Sequence, residues 1–213
     1  IPTHLVDHVQ KKVVLWQANI NKKQKSKLDI LFKSEVDLHI LIMNVEALST
    51  KKGVDFASSF LNCHSALMAI DESTTIKNKE AKRTKSVLNL GKLAKYRRIL
   101  TGSPVTKSPI DLYTQCEFLD SWLLGHSSWY NFRAKYAIMR NMSVGGRTFQ
   151  QITGYKNLGE LSEILRPFSH RVLKDDCLDL PKKTFMKRIV QLTADQKKIY
   201  LQMKQMALAE MNG

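Results

Sequence analysis

Residues 65–78 read SALMAIDESTTIKN. A short apolar run, Ala66 to Ile70, stops at two adjacent carboxylates, Asp71 and Glu72, and small polar residues lead on to Lys77 and Asn78. The run reads as a buried strand with the acids at its C-terminal end. In parallel α/β sheets, ligands gather beyond the carboxyl ends of the strands. Two carboxylates placed there need a partner, because burying unpaired charge is expensive. A hydrated Mg²⁺ carrying nucleotide phosphates is one such partner. The first carboxylate would hold the metal through water, and the second would orient or deprotonate a water attacking the terminal phosphate. The competing reading is a solvated loop that happens to be acidic.

The flanking segments supply the frame. LHILIMN (38–44) is a continuous apolar run ending in Asn44, the pattern of a strand buried on both faces. KKVVLWQ (11–17) is β-branched and aromatic, and RRILTGSP (97–104) holds a third short run stopped by Thr101, Gly102, Ser103 and Pro104. NKKQKSKLDILFKS (21–34) is a basic amphipathic helix with Leu28, Leu31 and Phe32 on one face, and the lysine-rich stretch 77–98 is also helical in pattern. Strands alternating with helices at this spacing predict an α/β domain with a mostly parallel sheet. Beyond Pro104 the pattern turns helical. Residues 108–120 open on a capping Ser108 with Pro109 at the first helical position. Helices are predicted over 129–140, 158–168 and from Ala194 onward, where Tyr200, Met203 and Met206 share one side. Residues 141–157 read as a loop or small hairpin, and a strand is predicted at 185–192.

Charge narrows the partners. Of 213 residues, 34 are Lys or Arg and 19 are Asp or Glu, a net charge of +15 that favours a polyanion, most commonly nucleic acid. Between Lys77 and Arg98 stand nine Lys/Arg and a single acid, Glu80. Lys51 and Lys52, and the cluster Lys22, Lys23, Lys25 and Lys27, add to the excess. Such residues contact phosphates without reading bases, and the affinity they confer falls with salt; a solvated helix face is the alternative. Trp16, Trp122 and Trp129 are expected to pack rather than to stack bases. Cys63, Cys116 and Cys177 are far apart, which implies reduced thiols in an intracellular protein rather than a secreted disulfide framework. The histidines are scattered, so zinc has little support. No apolar stretch approaches the roughly 20 residues that span a bilayer.

These pieces, taken in order, resemble the Swi/Snf-type branch of superfamily-two (DEAD/DEAH-like) helicases. IDESTTIKN resembles that branch's motif II, LTGSPVTKSPIDLYTQCEFLD its motif III, and ILIMNVEALS (40–49) its motif Ib. LRPFSHRVLKDDCLDLPKKT (165–184) is similar to its segment before the second motor lobe, and ITGYKNLGEL (152–161) to a stretch of phage and bacterial members. The resemblance implies a RecA-like (P-loop NTPase) parallel sheet with flanking helices, forming an incomplete first motor lobe over 1–165. Residues 166–213 would then be the interlobe segment and the start of the second lobe. It implies ATP and Mg²⁺ as cofactors, Asp71 holding the metal through water and Glu72 acting as catalytic base. Thr101, Gly102 and Ser103 would couple hydrolysis to movement, and Asn44, Lys51, Lys52, Lys77 and Asn78 would lie along the nucleic-acid backbone. The expected partner is double-stranded DNA, bound without sequence preference.

Two residues depart from the pattern: Thr74 stands where the DEAH form has histidine, and Ser103 replaces the usual threonine. A phosphate-gripping G-x-x-x-x-G-K-[ST] is not in this sequence; Gly91-Lys92 has Ser86 in place of the upstream glycine. The expectation is therefore a chain that starts after that loop and hydrolyses ATP negligibly by itself. The alternative is a non-catalytic basic nucleic-acid-binding module with a degenerate helicase fold.

Overall fold

The computed structural model describes residues 9–18, 22–33, 35–173 and 184–212. Cys177 and the charged run of Lys174, Asp175, Asp176 and Asp179 lie outside the described residues, as do the side chains of Lys22, Lys23, Lys25 and Lys27. The chain divides into two units, Ile1–Ser169 and His170–Gly213.

In the first unit, β1 (Lys11–Leu15) and β2 (Leu38–Ile42) pair in parallel, Lys11 opposite Leu38 and Leu15 opposite Ile42. Parallel neighbours need a crossover, and α1 (Lys22–Lys33) supplies it. Helix α2 (Lys51–Cys63) leads from β2 to β3 (Leu67–Ile70). A second parallel pair follows, β3 with β4 (Tyr96–Ile99), Leu67 opposite Tyr96 and Ile70 opposite Ile99. Its crossover is α3 (Lys82–Gly91). The lysine-rich stretch 77–98 is thus helical only over α3 and ends in β4; a 3-10 turn at Ser73–Ile76 precedes it.

The two parallel pairs are separate two-stranded sheets, not one continuous sheet. This corrects the expectation of strands buried on both faces. Ile42 is 43 % exposed and Leu67 58 %, so each pair leaves part of its surface open among the described residues.

The remaining elements follow their caps. Thr50 Oγ1 accepts from Gly53 N–H at 3.2 Å to open α2. Ser108 Oγ accepts from Ile110 N–H at 3.1 Å, and a 3-10 turn at Pro109–Asp111 runs into α4 (Leu112–Leu119). Ser128 Oγ accepts from Asn131 N–H at 3.2 Å to start α5 (Trp129–Tyr136). That helix ends four residues short of the predicted 140. Residues from Ala137 instead form β5 (Ala137–Val144), antiparallel to β6 (Arg147–Tyr155), so 141–157 is a hairpin rather than a loop. Gly145 and Gly146 turn it with φ of 56° and 76°, values that suit glycine. Helix α6 (Leu158–Leu165) completes the unit.

Three apolar clusters hold these parts. Trp16, Leu28, Leu31 and Phe60 pack α1 and α2 against the first strand pair. Ile70, Ile76, Val87, Leu90 and Phe118 pack α3 and α4 under the second. Ile110, Tyr113, Cys116, Phe132 and Tyr136 join α4, α5 and the hairpin base. Trp16 is buried and Trp129 packs at the edge of the last cluster, but Trp122 is 65 % exposed, against the expectation of packing.

The second unit is described over 170–173 and 184–212. Its helix α7 (Ala194–Asn212) opens on a reciprocal cap: Gln196 N–H donates to Thr193 Oγ1 at 3.4 Å and Thr193 N–H to Gln196 Oε1 at 3.1 Å. The strand predicted at 185–192 is not formed. Phe185 and Met186 are 89 % and 90 % exposed, and a lone extended segment without a partner strand is not a ladder. Tyr200, Met203 and Met206 are likewise exposed. Among the described residues no helix is long and apolar enough to cross a membrane.

Candidate functional site

The two parallel strands β3 and β4 end together. Leu100 N–H donates to Ile70 O at 2.8 Å, and Ser73 N–H returns to Leu100 O at 3.0 Å. Asp71 and Glu72 therefore leave the sheet beside the turn Thr101–Pro104. Both acids are exposed, whereas Ser73 is fully buried. The reversal between them is made at Glu72, which adopts the left-handed conformation, φ 51° and ψ 59°. That conformation costs a residue with a Cβ about 1–2 kcal/mol. Its neighbours hold it there: Glu72 N–H donates to Asp71 Oδ1 at 3.0 Å, and Glu72 O accepts from Thr75 N–H at 2.9 Å.

At the tip of β4, Thr101 Oγ1 accepts from Ser103 N–H at 3.2 Å and the Ser103 hydroxyl donates to Val105 O at 3.1 Å. Both hydroxyls thus shape the turn. Around Gly102 nothing lies within 4 Å of where a Cβ would be, so this backbone is open to an approaching group.

A buried amide joins the two turns. Ser73 Oγ donates to Gln115 Oε1 at 2.7 Å, and Gln115 Nε2 donates to Pro104 O at 2.9 Å and to Asp111 O at 2.8 Å. Gln115 is wholly buried in α4. The Thr114 hydroxyl beside it donates to Ile76 O at 2.7 Å, as does that of Thr84 from α3 at 3.3 Å. Sequence reasoning passed over Gln115; its signal was the one amide in LYTQCEFL, between Thr114 and Cys116 in a helix whose other buried positions are mostly apolar.

The residues predicted to follow a nucleic-acid backbone divide. Lys77 Nζ donates to Thr106 Oγ1 at 2.5 Å and lies 4.0 Å from Asp111 Oδ2, so it braces the second turn against the segment after the acids. Asn44 and Asn78 act as local caps, accepting from Glu46 N–H and Glu80 N–H, each at 3.0 Å. Asn44 sits where β2 ends, and Arg83 ties that end to the turn after the acids. Its Nε donates to Thr75 O at 2.9 Å and its other guanidinium arm pairs with Glu46. Lys51 and Lys52 are exposed in the first turn of α2 and take no part in this network among the described residues. There they add charge to the positive end of the helix.

Farther along, Lys79 Nζ lies 4.8 Å from the Trp129 ring centre and 4.5 Å from that of Tyr130. The hydrogen bonds of Lys79 and Lys85 hold the Glu80 carboxyl down at about 2.

The donor set at the acids suits a magnesium that keeps most of its waters. Mg²⁺ dehydrates reluctantly and is held by one or two carboxylates plus substrate phosphates. The exposed Asp71–Glu72 pair offers that. Among the described residues there is no cluster of three or more His, Cys, Asp or Glu of the sort that would cage a bare ion.

Comparison with known proteins fits this geometry. The family model described as the SNF2-related domain matches residues 3–213. This chain belongs to the SNF2-related domain family. Within that family it is 32 % identical over 135 residues to the TATA-binding protein-associated factor MOT1 of Saccharomyces cerevisiae, which covers 62 % of this chain and 7 % of that protein. It is 26 % identical over 205 residues to the chromatin-remodeling ATPase INO80 of Arabidopsis thaliana, covering 95 % of this chain and 12 % of the relative. It is 27 % identical over 139 residues to a putative ATP-dependent helicase/translocase, YwqA, of Bacillus subtilis, covering 64 % and 14 %. The chain thus spans a small fraction of the SNF2-related proteins it matches. The Swi/Snf-type resemblance read from motifs II, III and Ib is borne out.

Proposed function

We propose that the chain is the catalytic-acid portion of a DNA-dependent ATPase motor, in which hydrolysis of Mg²⁺-ATP drives movement along double-stranded DNA without sequence preference. The observation that carries this reading is the shared ending of β3 and β4. It sets Asp71 and Glu72 beside the Thr101–Ser103 turn and links the two through Ser73, Gln115 and Pro104. A bound magnesium would neutralise phosphate charge and organise attack on the terminal phosphate. Asp71 would hold its hydration shell. Glu72, released from the sheet by its left-handed backbone, would accept a proton from the attacking water. The Thr101–Gly102–Ser103 turn would pass the state of the site to α4 through Gln115, since a shift of Pro104 cannot occur without disturbing the hydrogen bonds to Ser73 and Asp111.

In this reading the two parallel pairs are parts of one RecA-like α/β lobe, residues 1–165 the first motor lobe and 166–213 the passage toward a second. Motif II is of DEAD/DEAH type, with Thr74 in the last position. Lys51 and Lys52 lie against phosphates. Asn44, Lys77 and Asn78 shape the turns along that path, since their side chains already serve within the fold. The free thiols of Cys63 and Cys116 favour a reducing intracellular setting. The sequence has no G-x-x-x-x-G-K-[ST], so this polypeptide in isolation should turn over ATP negligibly.

The intact protein tests the reading. It should displace the third strand of a triplex in an ATP-dependent manner while leaving the underlying duplex paired. Displacement without ATP, or none with it, would contradict the proposal.

A further inference from the structure

The β5–β6 hairpin serves no part of the site described above. Its base is anchored: Ala137 is buried, Met139, Ile152 and Tyr155 pack on the third cluster, and Lys156 N–H donates to Tyr136 O at 3.0 Å. A bulge between Ile138 and Met139 redirects the ribbon just above that base. Beyond it, the described side chains of residues 140–151 are all exposed. The five residues of β5 at 140–144 carry this exposed part about 17 Å from the base at 3.4 Å per residue.

Its two faces differ. Met142 stands opposite Phe149 and Arg140 opposite Gln151. By alternation, these four and Arg147 share one face. The other face carries Asn141 and Ser143 against Gln150 and Thr148, with the Ser143 and Thr148 hydroxyls 3.1 Å apart. Met142 and Phe149 are 40 % and 48 % exposed, an apolar pair held open to water between two arginines.

Charge selects the occupant. From Ser121 to Gly159 the sequence contains no Asp or Glu, but it contains Arg133, Lys135, Arg140, Arg147 and Lys156. Glu160, the next acid, pairs with Lys135. Arg140 and Arg147 have no ion-pair partner among the described residues. An acid-free, arginine-bearing two-stranded ribbon matches a polyanion with a groove. The DNA major groove, about 12 Å wide, admits such a ribbon.

We infer that the β5–β6 hairpin is a DNA-contacting arm that lies in a groove of the duplex, Arg140 and Arg147 on the phosphates and Met142 with Phe149 against the base edges. The inference rests on the duplex-DNA reading proposed above and adds to it a contact surface outside the motor motifs.

The test is fluorescence anisotropy of the intact protein with mixed-sequence duplex DNA over a range of salt. Arg140→Ala with Arg147→Ala should weaken binding about ten-fold at moderate salt and flatten the slope of log K against log salt by about two. Phe149→Ser should weaken it several-fold with the slope unchanged. A photo-crosslinking amino acid at position 149 should capture DNA. Wild-type binding with both variants indistinguishable from it, or crosslinks to protein alone, would overturn the arm and leave the motor reading standing. A wild-type protein that fails to bind duplex DNA would overturn both.

Discussion

Among the described residues Glu72 is one of two non-glycine residues with positive φ, the other being Asn157, and it is the one that stands at the candidate site. Strain of this kind persists where the surrounding structure holds it, and it clusters at functional sites. The substitution Glu72→Gly should therefore relieve the backbone, leaving stability unchanged or raising it by about 1 kcal/mol in urea denaturation, while removing the proposed base. A loss of 2 kcal/mol or more would show that the side chain supports the fold instead. The two described cysteines offer a separate check on local burial. Desolvation pushes the Cys116 thiol up to about 12, whereas Cys63 is exposed. The thiolate is the reactive form, so iodoacetamide at pH 8 should label Cys63 readily and Cys116 only on unfolding, as read by peptide mass mapping. Equal labelling rates in the folded chain would contradict that burial.

At the scale of elements, α4 is both a core helix and a strut between two turns. Replacing Gln115 with Leu would leave the Ser73 hydroxyl and Pro104 O without their buried partner, at a cost of about 1–3 kcal/mol. In the intact protein the same change should lower kcat for ATP more than it alters KM, which a purely structural role would not do. Gly53 makes a second point about close packing. Glycine-to-alanine in a helix usually stabilises by up to about 1 kcal/mol. Here the new Cβ would sit 2.2 Å from Ala47 O, so Gly53→Ala should lower the melting temperature. Most elements were legible in sequence because apolar runs, Ser108, Pro109 and the glycines at 145 and 146 carry local signals. The end of α5 was not. Tyr136 and Ala137 are buried in the third cluster, and the change to strand there depends on pairing with residues up to Tyr155. The strand predicted at 185–192 also misled, since an extended segment becomes a strand only with a partner.

At the scale of the whole molecule, the +15 charge pointed toward the polyanionic partner proposed above, and motif order gave the family. Three things were hidden: the Gln115 relay, the bracing of Lys77 against Thr106, and the acid-free arm. Each depends on residues about 30 to 40 positions apart or on a gap in composition, which local patterns do not display. The strands were expected to be fully buried, but side-chain composition cannot say whether a sheet is continuous. The most direct measurement is DNA-stimulated ATP hydrolysis by the intact protein and its Glu72→Gln variant. The account predicts at least about a 100-fold fall in kcat, the scale of a lost general base, with ATP still bound. A variant that hydrolyses ATP at the wild-type rate would contradict it.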